Sequence, residues 1–204
     1  MPSVYDLKPA FQRLLRPLCR ALAGAGVTAN QVTAAAAVLS LAAGACIAWK
    51  PDARWPLLLL PPVLLARMAL NAIDGMLARE HGMKSALGGI LNELGDVVSD
   101  AALYLPLALV PGIDPRLLVP AVVLAVIVEM TGVVAVQIGA SRRYDGPMGK
   151  SDRAFVFGAL GLALGLGAPA GIWLDALFAL MIVALVLTVV NRARRALAER
   201  VPTP

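Results

Sequence analysis

The chain has 204 residues, 59% of them hydrophobic, and a formal net charge of +5. A soluble domain sits nearer about 45–50% apolar, so this composition excludes an ordinary soluble protein and points to a polytopic membrane protein of one domain. The basic residues cluster at the ends of apolar runs, which argues against a nucleic-acid partner, and two cysteines are too few for a disulfide framework.

No cleavable signal peptide is expected, because Pro9 and Pro17 interrupt the N-terminus and no apolar core precedes a small-residue cleavage site. Residues 3–23 read as an amphipathic helix instead. Leu7, Phe11, Leu14, Leu15, Leu18 and Leu22 recur at helical spacing, with Lys8, Arg13, Arg16 and Arg20 between them. That pattern suits a helix lying in the headgroup region, and an ordinary cytosolic amphipathic helix is the plainer alternative. Cys19 lies among basic residues and Cys46 in an apolar run, so both are expected to be free thiols.

Six spans follow. The first is capped by Thr28 or Asn30 and runs to about Trp49. The second covers Leu57 to about Arg79, with Pro61 and Pro62 in its first turns, where proline disrupts least. Glu80 to Ser85 is a polar loop in which His81 is expected to be solvated. The third and fourth spans cover Leu87–Val110 and Leu117–Ala140. A basic loop, Ser141–Arg153, leads to a fifth span over Ala154–Leu166 and a sixth over Ile172–Val190. The expected architecture is an all-α integral membrane protein: an amphipathic juxtamembrane segment over 1–26, then a six-helix membrane domain over 27–204.

Orientation follows from the cations. Lys8, Arg13, Arg16, Arg20, Arg79, Lys84, Arg142, Arg143, Lys150, Arg153, Arg192, Arg194, Arg195 and Arg200 fall on one side, against Lys50, Arg54 and Arg116 on the other. The positive-inside rule makes the first side cytoplasmic and puts both termini there. Gly161 and Gly165 form one GxxxG, which permits close helix packing and is weak support for a homodimer.

The chemistry concentrates between Asn71 and Asp100. Asp74, Glu93, Asp96 and Asp100 lie in or at the ends of two apolar segments, and an ionisable residue at membrane depth is costly enough to suggest function. The plainer reading is a polar seam between packed helices. Arg67, Asn71, Asp74 and Ala78 share one face of the second span, and Asn92, Asp96 and Asp100 follow one another at one-turn intervals on the third. The two spans are joined by a short loop, so they are antiparallel neighbours whose polar faces can meet in one cavity. Oxygen ligands suit Mg²⁺, Mn²⁺ or Ca²⁺, and a single His with no Cys nearby speaks against zinc. Gly75, Ala78, Gly82, Gly88 and Gly89 leave room for a ligand, or equally for tight helix packing. Glu129 and Gln137 in the fourth span and Arg67 in the second read as structural partners inside the bundle.

The spacing of Asn71, Asp74, Gly75, Ala78, Arg79, Gly88, Asn92 and Asp96 resembles the CDP-alcohol phosphatidyltransferase signature D-x2-D-G-x2-A-R-x8-G-x3-D-x3-D. Every interval matches and six of the eight fixed positions carry the family residue; asparagine replaces aspartate at 71 and 92. The resemblance implies transfer of the phosphatidyl group of a CDP-alcohol, such as CDP-diacylglycerol, to an alcohol acceptor with release of CMP, in phospholipid synthesis at the bacterial inner membrane. It implies two divalent ions, Mg²⁺ or Mn²⁺, held by the signature acids. Asp74 would be a metal ligand and Asp96 a ligand and general base. Asn71 and Asn92 stand in two ligand positions, while Gly75, Ala78, Arg79 and Gly88 lie along the CDP moiety. Amides bring no charge, so Glu93 and Asp100 are candidates to restore the acidic count; alternatively one tight ion suffices.

Arg142, Arg143, Lys150 and Arg153 resemble the family's acceptor region, where they would bind a phosphorylated acceptor or lipid headgroups, although a positive-inside loop needs no further reason for its cations. Two rival functions stand beside the transferase. One is a weak or inactive relative that binds CDP-lipid. The other is an ion-coupled transporter, against which the acids gather toward one membrane side and the helices lack paired mid-span breaks.

Overall fold

The computed structural model describes residues 4–199, with side chains from Ala10 onward. Ser3, the side chains of Leu7 and Lys8, and Arg200 therefore lie outside the described residues. Seven α-helices and no strand occur among those described: α1 (Val4–Gly24), α2 (Ala29–Trp49), α3 (Leu60–Glu80), α4 (Ala86–Tyr104), α5 (Pro115–Gln137), α6 (Lys150–Gly165) and α7 (Ile172–Glu199). Helices thus occupy every segment expected to be helical, and their ends differ for identifiable reasons.

Thr28, rather than Asn30, caps α2. The Gln31 N–H donates to Thr28 Oγ1 at 3.3 Å and the Thr28 N–H donates to Gln31 Oε1 at 2.9 Å. This is a reciprocal box that satisfies two orphan donors and leaves Asn30 inside the helix. A 3₁₀ turn over Leu57–Leu59 leads into α3. The third expected span was to reach Val110, but α4 stops at Tyr104 and a 3₁₀ turn continues over Leu105–Leu109. Pro106 is the cause: it lacks an N–H and disfavours α geometry in the residue before it. Helix α5 starts earlier than expected because the Asp114 carboxylate accepts the Arg116 N–H at 2.8 Å. It ends three residues short of Ala140, just ahead of a turn through Gly139 at φ +79°. Helix α6 starts at Lys150, a turn before Ala154, with the Gly149 N–H donating to Asp152 Oδ2 at 2.9 Å. Helix α7 runs past Val190 to Glu199.

Helices α2, α3 with its preceding turn, α5 and α7 are long and apolar enough to cross a membrane. Helix α4 carries Glu93, Asp96 and Asp100, and α6 has only 16 residues; both fall outside those limits of length and composition.

The chain divides into two compact units, Met1–Ala42 with Pro62–Ser99, and Ala43–Pro61 with Asp100–Pro204. In the first, α1 turns Leu15, Cys19 and Leu22 onto Val32 of α2 and Ile73, Met76 and Leu77 of α3. Arg13 and Arg20 point outward, and Arg16 pairs with Glu80 at 2.9 Å. Cys19 and Cys46 are both free thiols, and Cys19 is buried in that cluster.

In the second unit Tyr104 stacks on Phe157 with ring centroids 3.8 Å apart. The GxxxG of α6 is used within the chain. A Cβ on Gly161 would lie 2.7 Å from the Leu57 carbonyl oxygen, and one on Gly165 would lie 2.5 Å from Leu58.

Candidate active site in the first unit

Asp74 is one of the costliest residues of this unit, an acid only 5% exposed in the middle of an apolar helix. It faces α2, where the Thr33 hydroxyl lies 2.8 Å from Oδ2 and 3.1 Å from the Ala29 carbonyl. A hydroxyl has one proton, and the shorter distance and the charge assign it to the carboxylate.

One turn back along α3, Asn71 donates its amide to Asp96 Oδ1 of α4 at 3.1 Å. Arg67, one turn further back and 3% exposed, brings a guanidinium nitrogen to 4.0 Å from the same oxygen. The polar faces of α3 and α4 therefore meet, as their spacing predicts. Arg67, expected to find a partner inside the bundle, has Asp96 as one.

Beside these contacts lies a cavity of about 430 Å³. Asp74, Gly75, Ala78 and Arg79 line it from α3, and Gly88 and Asn92 from α4. Two glycines let side chains close in there. A Cβ on Gly88 would come within 2.8 Å of Asn30 Oδ1, and one on Gly75 within 3.0–3.2 Å of the Arg79 guanidinium nitrogens, which fold back over it. The remaining wall is Ala29, Asn30 and Thr33 of α2 with Met83, Lys84, Ser85 and Gly89. Ser85 also caps α4, accepting the Gly88 N–H at 2.9 Å.

Asn30, Thr33, Lys84 and Ser85 are functional candidates that sequence reasoning missed. Asn30 and Thr33 leave only a faint trace, two polar residues three apart on a helix that also carries Gln31 and Ser40. Glu93 is half-buried on α4, and His81 is exposed.

Asp100 is placed differently. It lies in the second unit, where the Arg153 Nη2 donates to it at 3.0 Å and Nε at 3.3 Å. Arg153 also donates to Glu129 at 2.9 Å, and Glu129 in turn accepts from Arg142 at 3.1 Å and Arg192 at 3.4 Å. Glu129 is thus the internal partner expected of it, serving three arginines. Arg143 pairs with Asp145 and Glu199, and Arg195 pairs with Asp145. The basic loop is held onto α5 and α7. Arg142 donates to the Arg143 carbonyl, Arg192 to the carbonyls of Val128 and Asp145, and Thr188 accepts the Met148 N–H. Burial pushes the Asp145 carboxyl up, but the Arg143 and Arg195 guanidiniums outweigh it and hold it below the ordinary aspartate value. Lys150 is the half-buried first residue of α6. Arg142, Arg143 and Arg153, expected to bind an acceptor or headgroup, are engaged with carboxylates of their own chain.

A donor set of Asp74, Asp96, Asn71 and Asn92 is all oxygen, the chemistry of a hard divalent cation. It carries two negative charges where the signature would carry four. Among the described residues no three His, Cys, Asp or Glu side chains gather as a metal cage. The set fits a divalent ion completed by substrate oxygens.

The CDP-alcohol phosphatidyltransferase family model matches residues 26–190. The chain is 44% identical to the inner membrane protein YnbA of Escherichia coli (strain K12) over 197 residues, 96% of each chain. Its fold is shared with phosphatidylinositol phosphate synthase (PgsA1) of Mycobacterium tuberculosis. Against the structure of that protein with CDP-DAG bound, the TM-score is 0.75 at 22% identity, over 90% of this chain and 94% of the other. Against its complex with manganese and citrate, the TM-score is 0.73 at 22% identity, over 89% and 88%.

Proposed function

The chain belongs to the CDP-alcohol phosphatidyltransferase family, and from that membership we propose that it transfers the phosphatidyl group of CDP-diacylglycerol, or of a related CDP-alcohol, to an alcohol acceptor with release of CMP. It is a membrane protein of phospholipid synthesis, and we place it in the bacterial inner membrane with six spans and both termini in the cytoplasm. The observation that carries the reading is the cavity, since six of the eight signature positions line it.

In this reading Gly75, Ala78 and Gly88 let the CDP moiety approach backbone, and Arg79 and Lys84 meet its pyrophosphate. Asp74 and Asn92 would hold a divalent ion, Mg²⁺ or Mn²⁺, which when bound supplies charge neutralisation for the pyrophosphate and the departing CMP. Thr33 fixes the Asp74 carboxylate. Asp96 accepts the acceptor hydroxyl's proton, with Asn71 and Arg67 orienting it. Phosphoryl transfer is mostly positioning and charge neutralisation, and a placed carboxylate adds general-base assistance. Arg142, Arg143 and Arg153 build the loop, and together with Lys150 at the start of α6 they are the candidates for a phosphorylated acceptor or a lipid headgroup. A homodimer, if formed, uses a face other than Gly161 and Gly165.

The test is CMP release by purified protein given labelled CDP-diacylglycerol, Mg²⁺ or Mn²⁺ and a panel of alcohols. Metal-dependent release is expected, and it should be abolished in Asp74→Ala and Asp96→Ala proteins that still fold. Near-normal turnover in Asp96→Ala would remove Asp96 as the base. The asparagines at 71 and 92 favour one alternative, a CDP-lipid binder without turnover. Binding of CDP-diacylglycerol with no CMP release from any acceptor would establish that instead.

A further inference from the structure

Asp96 is met on one carboxylate oxygen by two groups from α3. The Asn71 amide nitrogen lies 3.1 Å from Oδ1, and the Arg67 guanidinium lies 4.0 Å from the same atom. Turned the other way, the Asn71 amide would set its oxygen against a carboxylate oxygen, so the nitrogen belongs there. Arg67 is 3% exposed, so a guanidinium cation is built in beside Asp96. A divalent ion seated at that oxygen would be repelled by this fixed cation at short range. The bookkeeping of formal charge agrees: asparagine at 71 and 92 in place of aspartate removes two negative charges, the charge of one divalent ion.

We propose that Arg67 and Asn71 supply, beside Asp96, the positive charge and the hydrogen-bond donor that a second divalent ion would otherwise supply, so that this site binds one divalent cation. The inference rests on the reading of Asp74 as a metal-binding acid and of Asp96 as the base. Arg67 is a positioning residue: it acts on substrate only through Asp96. The ion retained belongs with Asp74 and Asn92, which face the cavity from α3 and α4. Glu93, with its longer side chain one turn before Asp96, is not needed to rebuild a second site.

The experiment counts Mn²⁺. Full-length protein in detergent is titrated with Mn²⁺, and the free ion is followed by its electron paramagnetic resonance signal. One ion per chain is expected, with any second at least about tenfold weaker because of the fixed charge beside Asp96. N71D/N92D protein should bind two ions of comparable affinity. R67M should tighten the weak second ion by about tenfold or more, which a merely structural arginine would not do. Two ions within tenfold of each other in the wild type overturn the proposal, as does a wild type that binds no Mn²⁺ or an R67M titration that superimposes on wild type. Should R67M fail to fold, the wild-type count alone decides. CMP release plays no part in the count. One bound ion in a protein inert toward every CDP-alcohol rejects the transferase reading and leaves this inference standing; two ions in an active enzyme do the reverse.

Discussion

Asp74 is buried and meets the Thr33 hydroxyl, which lies on a different helix. A hydrogen bond to a charged group contributes about 1.5–3 kcal/mol, and a buried carboxylate deprived of it is left to reorient. Thr33→Val should therefore lower kcat/KM for CMP release by roughly ten- to a hundredfold. Thr33→Ser should retain most of it, and both proteins should keep their helical circular dichroism. Equal activity in Thr33→Val and wild type would show that Asp74 needs no partner from α2. Asp74, Asp96 and Arg79 were legible in the sequence because charge in an apolar run is conspicuous and their intervals fit a signature. Thr33 and Asn30 were not. A small polar residue near the start of an apolar helix has an ordinary use as a cap, and only packing shows which one caps and which face inward.

At the scale of one element, the stretch from Gly139 to Gly149 is the segment most changed by seeing it folded. As sequence it is a cationic loop awaiting an anion. As structure its arginines already have carboxylates, and its backbone is tied to α5 and α7. Gly146 adopts φ +123°, and a Cβ there would fall 2.4 Å from Thr188. Gly146→Ala should cost about 2–4 kcal/mol in stability, combining backbone strain with overpacking. The measurement is the midpoint of thermal unfolding in detergent, and an unchanged midpoint would mean the loop is not anchored as described.

The same loop sets an acid limit. Asp145 titrates below the ordinary aspartate value, so its contribution is fully present above the unfolded pKa of about 3.9 and is lost as pH falls through the lower folded value. The midpoint of Asp145→Asn should lie below wild type at neutral pH, and the gap should close as the pH falls below about 4. A gap that persists unchanged at low pH would mean that Asp145 acts by packing and not by charge. Glu129 was expected to pair inside the bundle, but its partners were not readable beforehand, because Arg153 and Arg192 lie 24 and 63 residues further along the chain, and Arg143 and Glu199 are as widely separated.

For the whole molecule, hydropathy located every helix, and proline or glycine explains two of the displaced ends. What it did not fix is which helices span. Helix α6, with 16 residues, rises about 24 Å, short of a hydrocarbon core of about 30 Å, and α4 carries three carboxylates. Six spans nevertheless require reporters fused at either terminus to give a cytoplasmic signal and one placed within Pro111–Arg116 to give the opposite. A C-terminal reporter on the far side would reduce the count to an odd number and remove the proposed orientation.

The cluster around Glu129 also imposes an order on biogenesis. Its acid emerges from the ribosome with α5, but Arg153 follows 24 residues later and Arg192 63 residues later. At about 5–20 residues per second, Glu129 waits roughly 3–13 s before the last of its cations exists. A nascent chain halted after α6 holds Glu129 with Arg142 and Arg153 but without Arg192 and the rest of α7. Such chains should be unstable in the cell, cleared by membrane quality control while the completed protein persists, and a pulse-chase of a chain ending at residue 170 would reveal the difference.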